Sequence, residues 1–217
     1  MVVDADTQAT AVNWASRGNL PVRVEAMPLD GESDVGSRVD RVLNLEAAHV
    51  VIDCPPNFGP ATVAATGIAD VVLVPVPVTL SGADLVATGW ALDLVHHAQA
   101  ARSDAGPLCL LVPSKVDRRT APGREITAAL ERFNEPVAPE VGQRTALVDT
   151  FGVDAWIGQY APDSEARKDF QELATAVKRR WLTELKRLRS ERDSPDPAGD
   201  TSASPSTARD PTRLLRF

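Results

Sequence analysis

Short runs of branched apolar residues recur along the chain and are separated by stretches with helical periodicity. Three of these runs contain no charged residue, and they cover residues 50–52, 71–74 and 108–112. A continuous apolar run of this length predicts a strand that is buried on both faces of a parallel sheet. The first residues of the chain resemble the end of another buried strand, and residues 22–27 alternate between apolar and polar, as a strand with one buried face does.

Apolar residues at helical spacing predict a helix after each of these strands. The predicted helices cover residues 9–16, 34–45, 60–68, 83–101 and 121–133, and a last one covers 167–189. Strands that alternate with helices in this way form a parallel sheet with helices on both of its faces. The sequence therefore predicts an α/β fold.

The last predicted helix carries both an apolar stripe and many positive charges. Six of the twelve residues from Lys178 to Arg189 are basic. From Ser190 onward the chain is rich in Ser, Pro, Asp and Thr, a composition typical of disordered segments. We therefore expect one domain over residues 1–189 and a disordered tail over 190–217.

The composition is that of an ordinary globular protein, with 43% hydrophobic and 24% charged residues. No apolar run approaches the roughly 20 residues that a membrane-spanning helix requires, so no membrane association is expected. The formal net charge of −7 argues against a surface that is basic throughout, although a local basic patch can still bind phosphates. The two cysteines, Cys54 and Cys109, lack metal-ligand spacing and are expected to be reduced and buried.

Carboxylates stand at the ends of two predicted strands. Asp53 ends the run 50–52 and is followed closely by two prolines, which continue neither a strand nor a helix. Ligands of open α/β sheets bind beyond the carboxyl ends of the strands, where Asp53 would meet a metal–phosphate group. Asp4 and Asp6 are two residues apart, so in an extended chain both carboxylates lie on one side and can hold a hydrated metal. Aspartates in such positions also form turns and cap helices, and the sequence leaves both interpretations open.

Several motifs follow one another in a specific order: Asp4-Ala5-Asp6-Thr7-Gln8, Val51-Ile52-Asp53-Cys54-Pro55-Pro56, Ala69-Asp70 through Pro75-Val76-Pro77, Gln143-Arg144, and Pro162-Asp163-Ser164-Glu165-Ala166 with Phe170-Gln171-Glu172-Leu173-Ala174. Each motif alone is weakly specific. In this order and spacing they resemble the ParA/MinD family of deviant P-loop ATPases, in particular the small plasmid-partition ParA type. The resemblance extends from residue 1 to about residue 185, and it implies a P-loop/Rossmann-like sheet.

The resemblance implies ATP and Mg²⁺ as cofactors and assigns roles to the carboxylates. Asp6 matches the family's residue that positions or activates the attacking water. Asp53 matches the Walker B aspartate that touches Mg²⁺ through water, and Asp4 matches an aspartate near the metal. The family's adenine-contacting loop corresponds to a segment that also fits an ordinary polar loop, and its candidates are Ser114, Lys115 and Asp117.

The family's phosphate-binding loop, Lys-Gly-Gly-x-Gly-Lys-Thr-Thr, has no counterpart in these 217 residues. In the family this loop precedes the segment that matches Asp4 and Asp6, so the first strand–P-loop–helix unit is expected to be missing here. Because the family's lost strand lies in the middle of the sheet, its two neighbours are expected to have unpaired backbone. The simplest explanation is an upstream start codon, with Met1 inside the second strand. Gene truncation or a degenerate paralogue is the alternative.

The function implied by the resemblance is that of a cytoplasmic, nucleoid-associated partition ATPase for a plasmid or a chromosome. Such a protein forms a homodimer around ATP, binds DNA non-specifically and is switched by a ParB-like partner. The candidate DNA contacts are basic side chains, namely Arg144, Lys178, Arg179, Arg180, Lys186, Arg187 and Arg189, although those on the helix also fit a solvated helix face. The alternative is a degenerate interaction protein that retains the fold without binding or hydrolysing ATP. A related synthetase acting on small molecules has no supporting Cys/His pair.

Overall fold

The structure of the protein is a computed structural model that describes residues 1–17, 20–28, 34–78, 82–104 and 106–193. In chain order the described elements are β1 (Val2–Asp4), α1 (Thr10–Ser16), β2 (Val24–Ala26), α2 (Val35–Leu43), β3 (Val51–Asp53), α3 (Pro60–Ile68), β4 (Val71–Pro77), α4 (Gly82–Ala101), β5 (Leu108–Val116), α5 (Ala121–Glu131), β6 (Val141–Gly142), α6 (Thr145–Gly152), α7 (Ile157–Tyr160) and α8 (Glu165–Asp193). Most of the predicted tail, from residue 194 onward, lies outside the described residues.

The described strands form two three-stranded sheets, a first sheet in the order β2-β1-β3 and a second sheet in the order β4-β5-β6. Every strand pair is parallel, so the predicted α/β fold is confirmed. The sequence predicts one parallel sheet, whereas the structure divides it between β3 and β4. Within the described residues β3 pairs only with β1, and β4 pairs only with β5.

The second sheet is covered on both faces. On one face, α4 and α5 pack their apolar side chains against those of β4 and β5, and the buried cluster comprises Val74, Val76, Leu92, Val95, Cys109, Leu111, Val116, Ile126 and Leu130. On the other face, α8 contributes Leu173 and Val177 to a cluster with Leu110 and Val112 of β5. The alternation along β5 thus divides its side chains between two cores.

Helices connect the two sheets on both faces. On one face α3 contacts both α2 and α4, and its alanines lie against Val3 and Ile52 of the first sheet. Arg102, which follows α4, donates to the carbonyl of Ala69 at 2.6 Å and so ties α4 to the end of α3. On the opposite face, Trp14 of α1 makes an edge-to-face contact with Phe151 of α6, with the ring centroids 5.9 Å apart.

Two expectations about the strands are wrong. The run 50–52 was predicted to be buried on both faces, but the Val51 side chain is 61% exposed and Ile52 is half-buried. The reason is that β3 is an edge strand, with only β1 beside it. The third apolar strand, predicted to end at residue 112, continues as β5 to Val116 because its last residues pair with β6.

The ends of the helices agree with the sequence patterns to within a few residues. The helix α3 has the predicted bounds, whereas α8 continues to Asp193 and so includes four residues that were predicted to belong to the tail. The short elements β6, α6 and α7 have no clear sequence pattern. None of the helices in the described part of the chain has the length and apolar character needed to cross a membrane.

Candidate functional site

Three aspartates meet at the carboxyl ends of β1 and β3. In the parallel register Asp4 lies directly beside Asp53, and the backbone N–H of Ala5 donates to the Asp53 carbonyl at 2.9 Å. Asp6 follows β1 by two residues, and its charge acts on the Asp53 carboxyl group together with that of Asp4. The fold therefore groups the three carboxylates that the sequence distributes over two separate strands.

Asp4 is the most buried member of this group, with only 1% of its surface exposed. One carboxylate oxygen accepts the backbone N–H of Asp6 at 3.1 Å, and the other accepts the backbone N–H of Val12 at 3.0 Å. Val12 lies in the first turn of α1, whose own N-cap residue, Ala9, provides no capping side chain. Asp4 therefore forms a turn and caps a helix, the structural interpretation that the sequence left open.

Asp6 and Asp53 are more accessible than Asp4. Asp6 is half-buried, and its Oδ1 accepts the backbone N–H of Gln8 at 3.0 Å. Asp53 is exposed, but protein packed around its carboxyl group removes part of its hydration. This desolvation, followed by the charges of Asp4 and Asp6, raises the pKa of Asp53 above its ordinary value.

The carboxylate cluster suits a hydrated Mg²⁺ ion. Mg²⁺ retains several waters and binds proteins through one or two carboxylates, so Asp53 and Asp6 provide the type and the number of protein ligands that it needs. Desolvation is the main cause of the raised pKa of Asp53, and a cation would relieve the repulsion from Asp4 and Asp6 that adds to it. Within the described ranges, no group of three or more His, Cys, Asp or Glu side chains is arranged to hold a metal ion, so a cation here would be held by at most two carboxylates and by water.

The same edge does not provide donors for a triphosphate. In the described part of the chain, no lysine or arginine forms an ion pair with Asp4, Asp6 or Asp53. The N–H of Val12 in the first turn of α1 is already bonded to Asp4. Phosphate groups need several N–H donors or cations, so these residues fit the metal and leave the phosphates of ATP without partners.

The predicted adenine-contacting residues do not form a loop after a strand. Ser114 and Lys115 belong to β5, where the register shifts between Ser114 and Val116 and Lys115 adopts a left-handed backbone conformation with φ of 54°. Only Asp117 lies beyond the strand. The expected position of these residues was therefore wrong, because the bulge allows β5 to continue along β6.

Asp117 is already engaged by its neighbours. Its carboxylate accepts two hydrogen bonds from the Arg119 guanidinium, at 2.9 and 2.8 Å, and one from the Arg119 backbone N–H at 3.0 Å. These bonds lower the pKa of Asp117 to about 2. The close approach of Gly123 to the Asp117 carbonyl, where a Cβ would lie 1.9 Å away, fixes this turn against the start of α5.

Arg144 lies beside β6 and forms a two-bond ion pair with Asp169 of α8. Its Nε and Nη2 donate to the Asp169 carboxylate at 3.0 and 3.2 Å, and the same carboxylate accepts the backbone N–H of Gly142 at 3.0 Å. The bond to Asp169 raises the pKa of Arg144. Sequence reasoning missed Asp169, because a single aspartate within a long helix gives no local signal of a distant partner.

The remaining candidate DNA contacts lie along the second half of α8, and all of them are exposed. We call them the basic face of α8, and they are Lys178, Arg179, Arg180, Lys186, Arg187 and Arg189. Arg179 and Lys186 are seven residues apart and therefore lie on the same side of the helix, two turns from one another. Arg187 forms an ion pair with Glu184, which partly neutralises its charge. The structure does not bring the basic face of α8 near the carboxylate cluster. The helix packs against the second sheet, whereas the carboxylates lie at the edge of the first sheet.

Comparison with known proteins shows a distant relationship. The chain is 27% identical over 152 residues to Maintenance of carboxysome distribution protein A of Halothiobacillus neapolitanus (strain ATCC 23641 / c2). The aligned part covers 67% of this chain and 66% of that protein, which is slightly less than two thirds of its length. No family model matches the chain. The similarity supports, in a coarse sense, a ParA/MinD-like relationship.

Proposed function

We propose that this chain belongs to a ParA-like ATPase that positions a cellular cargo, such as a plasmid or a chromosome, on the nucleoid. It would act in the cytoplasm as an ATP-dependent homodimer that binds DNA non-specifically and responds to a ParB-like partner. The observation that carries this proposal is the position of Asp53 beside Asp4, with Asp6 adjacent, at the carboxyl ends of two parallel strands. The distant similarity to a protein named for carboxysome distribution is consistent with a positioning role.

Each carboxylate has a distinct part in this proposal. Asp53, the most exposed of the three, would hold a hydrated Mg²⁺ ion. Asp6 is half-buried and orients the attacking water, and Asp4 fixes the backbone from which Asp6 projects. An Mg²⁺ ion held by these residues would supply positive charge that offsets the charge of the phosphates. The described carboxylate edge supplies no phosphate donors, and under this proposal they would be those of the strand–P-loop–helix unit that the family resemblance implies.

A second candidate is a degenerate interaction protein that does not bind ATP. It is favoured by the hydrogen bonds that engage several predicted functional residues. Both oxygens of Asp4 accept backbone N–H groups, and Asp117 and Arg144 are each held in ion pairs. In this candidate the fold serves as a docking surface, and the carboxylates have only structural roles.

The two candidates differ in nucleotide binding. The first experiment is to express the reading frame extended upstream of Met1 and to measure Mg²⁺-dependent ATP binding and hydrolysis. The ATPase proposal expects hydrolysis that is lost in Asp53→Ala and Asp6→Asn but retained in Asp93→Asn, a control on the exposed surface of α4. An extended chain that binds no ATP would overturn the proposal. Mg²⁺-dependent ATP binding by the 217-residue chain itself would exclude the degenerate candidate.

DNA binding is tested separately on the basic face of α8. Binding to a random duplex should weaken steeply with salt, because each phosphate contact releases counterions. Arg179→Glu should reduce the affinity and flatten the salt dependence, whereas Arg132→Glu, at an exposed arginine that follows α5, should change both much less. The two substitutions change the net charge equally, so equal losses would show that only total charge matters and that the basic face is not the site.

A further inference from the structure

An exposed aromatic pair lies where the connection between β3 and α3 meets α4. The rings of Phe58 and Trp90 make an edge-to-face contact with their centroids 6.3 Å apart, yet the Trp90 side chain is 59% exposed. Val86, one turn before Trp90 on the same side of α4, is 51% exposed. We call Phe58, Val86 and Trp90 the apolar patch of α4. We propose that this patch docks a segment of the chain's own tail, residues 212–217, and this inference is independent of the proposed ATPase function.

The helix α4 is apolar on two opposite sides. One side is buried against the second sheet through Leu92 and Val95. The opposite side of a surface helix is expected to be polar, but in the first half of α4 its exposed residues are all apolar, namely Ala83, Val86, Ala87 and Trp90. Two apolar sides indicate two partners, and the described residues provide only the first of them.

The charges around the apolar patch of α4 restrict the kind of occupant. The connection 54–59, α3 and α4 contain no lysine or arginine, and their only acidic residues are Asp84 and Asp93. Asp93 is exposed and lies one turn after Trp90. A guanidinium group can approach both a carboxylate and the face of an indole ring. This surface therefore favours an occupant that combines apolar side chains with arginine over an acidic one.

One segment of the tail has this composition. Residues 194–211 contain no large apolar side chain, whereas residues 212–217 read Thr-Arg-Leu-Leu-Arg-Phe. Three large apolar side chains and two arginines thus fall within five consecutive residues, Arg213 to Phe217. These residues lie outside the described part of the chain. Their match to the patch in both apolar character and charge is the reason for choosing them as the occupant.

The tail is long enough to bring this segment to the patch. The helix α8 ends at Asp193, and residues 194–211 can span about 60 Å when they are extended. A domain of about 190 residues is about 40 Å across, so this length reaches its whole surface. The tether also provides an effective concentration of about 1 mM, at which a segment with a Kd of about 0.1 mM occupies its site about nine-tenths of the time.

The docking is tested by hydroxyl-radical footprinting of the 217-residue chain, with oxidation of Trp90 measured by peptide mass spectrometry. Trp90 should be oxidised about threefold more slowly, or less, in the wild type than in a tail variant with Leu215→Asp and Phe217→Asp, because docking covers the indole ring. Trp156, an exposed tryptophan directly before α7, should be oxidised at the same rate in both chains. Equal rates at Trp90 would overturn the proposal, and a parallel rise at Trp156 would show general loosening of the fold and contradict it.

Two matched substitutions test the place of docking. Val86→Lys puts a positive charge on the patch and should raise the oxidation rate of Trp90 to that of the tail variant, whereas Val148→Lys, at an exposed valine of α6, should not. When Val86→Lys is combined with the tail variant, it should cause no further rise, since the segment has already been released. A rise with Val148→Lys, or an additive rise in the combined variant, would contradict docking at the patch.

The charge match and the identity of the occupant have their own tests. Arg213→Glu combined with Arg216→Glu should also expose Trp90 to oxidation, because the surface of α3 and α4 would then repel the segment. Continued protection of Trp90 in that variant would contradict the proposed occupant. Protection should also be independent of protein concentration. Protection that is lost on dilution would identify a second copy as the occupant and would overturn docking of the chain's own tail.

Discussion

The carboxylate of Asp4 and the backbone N–H of Val12 are joined by a 3.0 Å hydrogen bond that holds the first turn of α1 against β1. The second carboxylate oxygen of Asp4 accepts the N–H of Asp6, so this one side chain organises the whole connection between the strand and the helix. The consequence for the candidate site is that Asp4 stabilises the backbone from which Asp6 projects, whether or not a metal binds nearby.

Replacing Asp4 should therefore reduce stability before it affects any chemistry. Asp4→Ala removes two charge-assisted hydrogen bonds at a buried position and should lower the free energy of unfolding by about 2–3 kcal/mol. Asp4→Asn keeps one acceptor oxygen and should cost less. Urea denaturation followed by circular dichroism measures both effects. Equal stability of Asp4→Ala and the wild type would contradict the structural role of this carboxylate.

Replacing Asp53 should affect stability in the opposite direction to replacing Asp4. Its pKa is raised in the folded protein, so the folded state disfavours the ionised carboxylate. The associated stability is fully present below the ordinary value of 3.8 and is lost as pH rises through the folded pKa. Asp53→Asn should therefore stabilise the protein at about pH 7, and the gain should shrink as the pH falls toward about 4.

Urea denaturation over this pH range measures the effect, with Asp93→Asn as the control for the loss of an exposed carboxylate. A gain that grows as the pH falls would have the wrong sign and would contradict the raised pKa. A carboxylate that destabilises its own protein is typical of functional sites, where a ligand supplies the compensating charge. Asp53 is therefore tested twice, for stability with Asp53→Asn and for ATP hydrolysis with Asp53→Ala.

The pair formed by Arg144 and Asp169 gives a third test. A double-mutant cycle with Arg144→Ala and Asp169→Ala should give a coupling energy of about 1 kcal/mol, because the arginine side chain is partly exposed and screened. Asp169→Ala should cost more than Arg144→Ala, since Asp169 also accepts the Gly142 N–H. Additive losses would show that the two side chains do not interact in solution.

Much of the fold could be predicted from the sequence, because periodicity is a local signal. The pattern over residues 60–68 predicted the bounds of α3, and the apolar run at 71–74 predicted the first part of β4. The continuation of β5 was not predictable, because it depends on the left-handed conformation of Lys115 and on pairing with β6. The sequence also could not show that the sheet divides between β3 and β4, since pairing between strands is not encoded in either strand alone.

The candidate site was predictable only where its residues give a local signal in the sequence. Asp53 could be identified because it ends an apolar strand, and Asp4 and Asp6 because of their spacing. The partners of Asp117 and Arg144 could not be predicted, for two different reasons. Arg119 is two residues from Asp117, and sequence alone does not show that the two side chains pair, whereas Asp169 lies 25 residues from Arg144 and is brought to it only by the packing of α8 against β6.

The cysteines provide the last test, because one of them reports on Asp53. Burial, followed by the charge of Asp53, raises the pKa of Cys54 to about 11, and burial with the charge of Glu135 raises that of Cys109 to about 12. Both thiols should therefore react slowly with iodoacetamide at about pH 8, because the thiolate is the reactive form. Asp53→Asn should accelerate alkylation of Cys54 alone, and Glu135→Gln should accelerate that of Cys109 alone.

Mass spectrometry of the alkylated peptides distinguishes the two sites. Above the ordinary thiol value of 9.0 the unfolded chain ionises while the folded protein does not, so stability should also fall as the pH rises toward 11. Equal acceleration of both cysteines in Asp53→Asn would indicate general loosening of the fold. Faster alkylation of Cys54 alone would instead show that the Asp53 charge lies beside this thiol, as expected from the position of Asp53 at the end of β3.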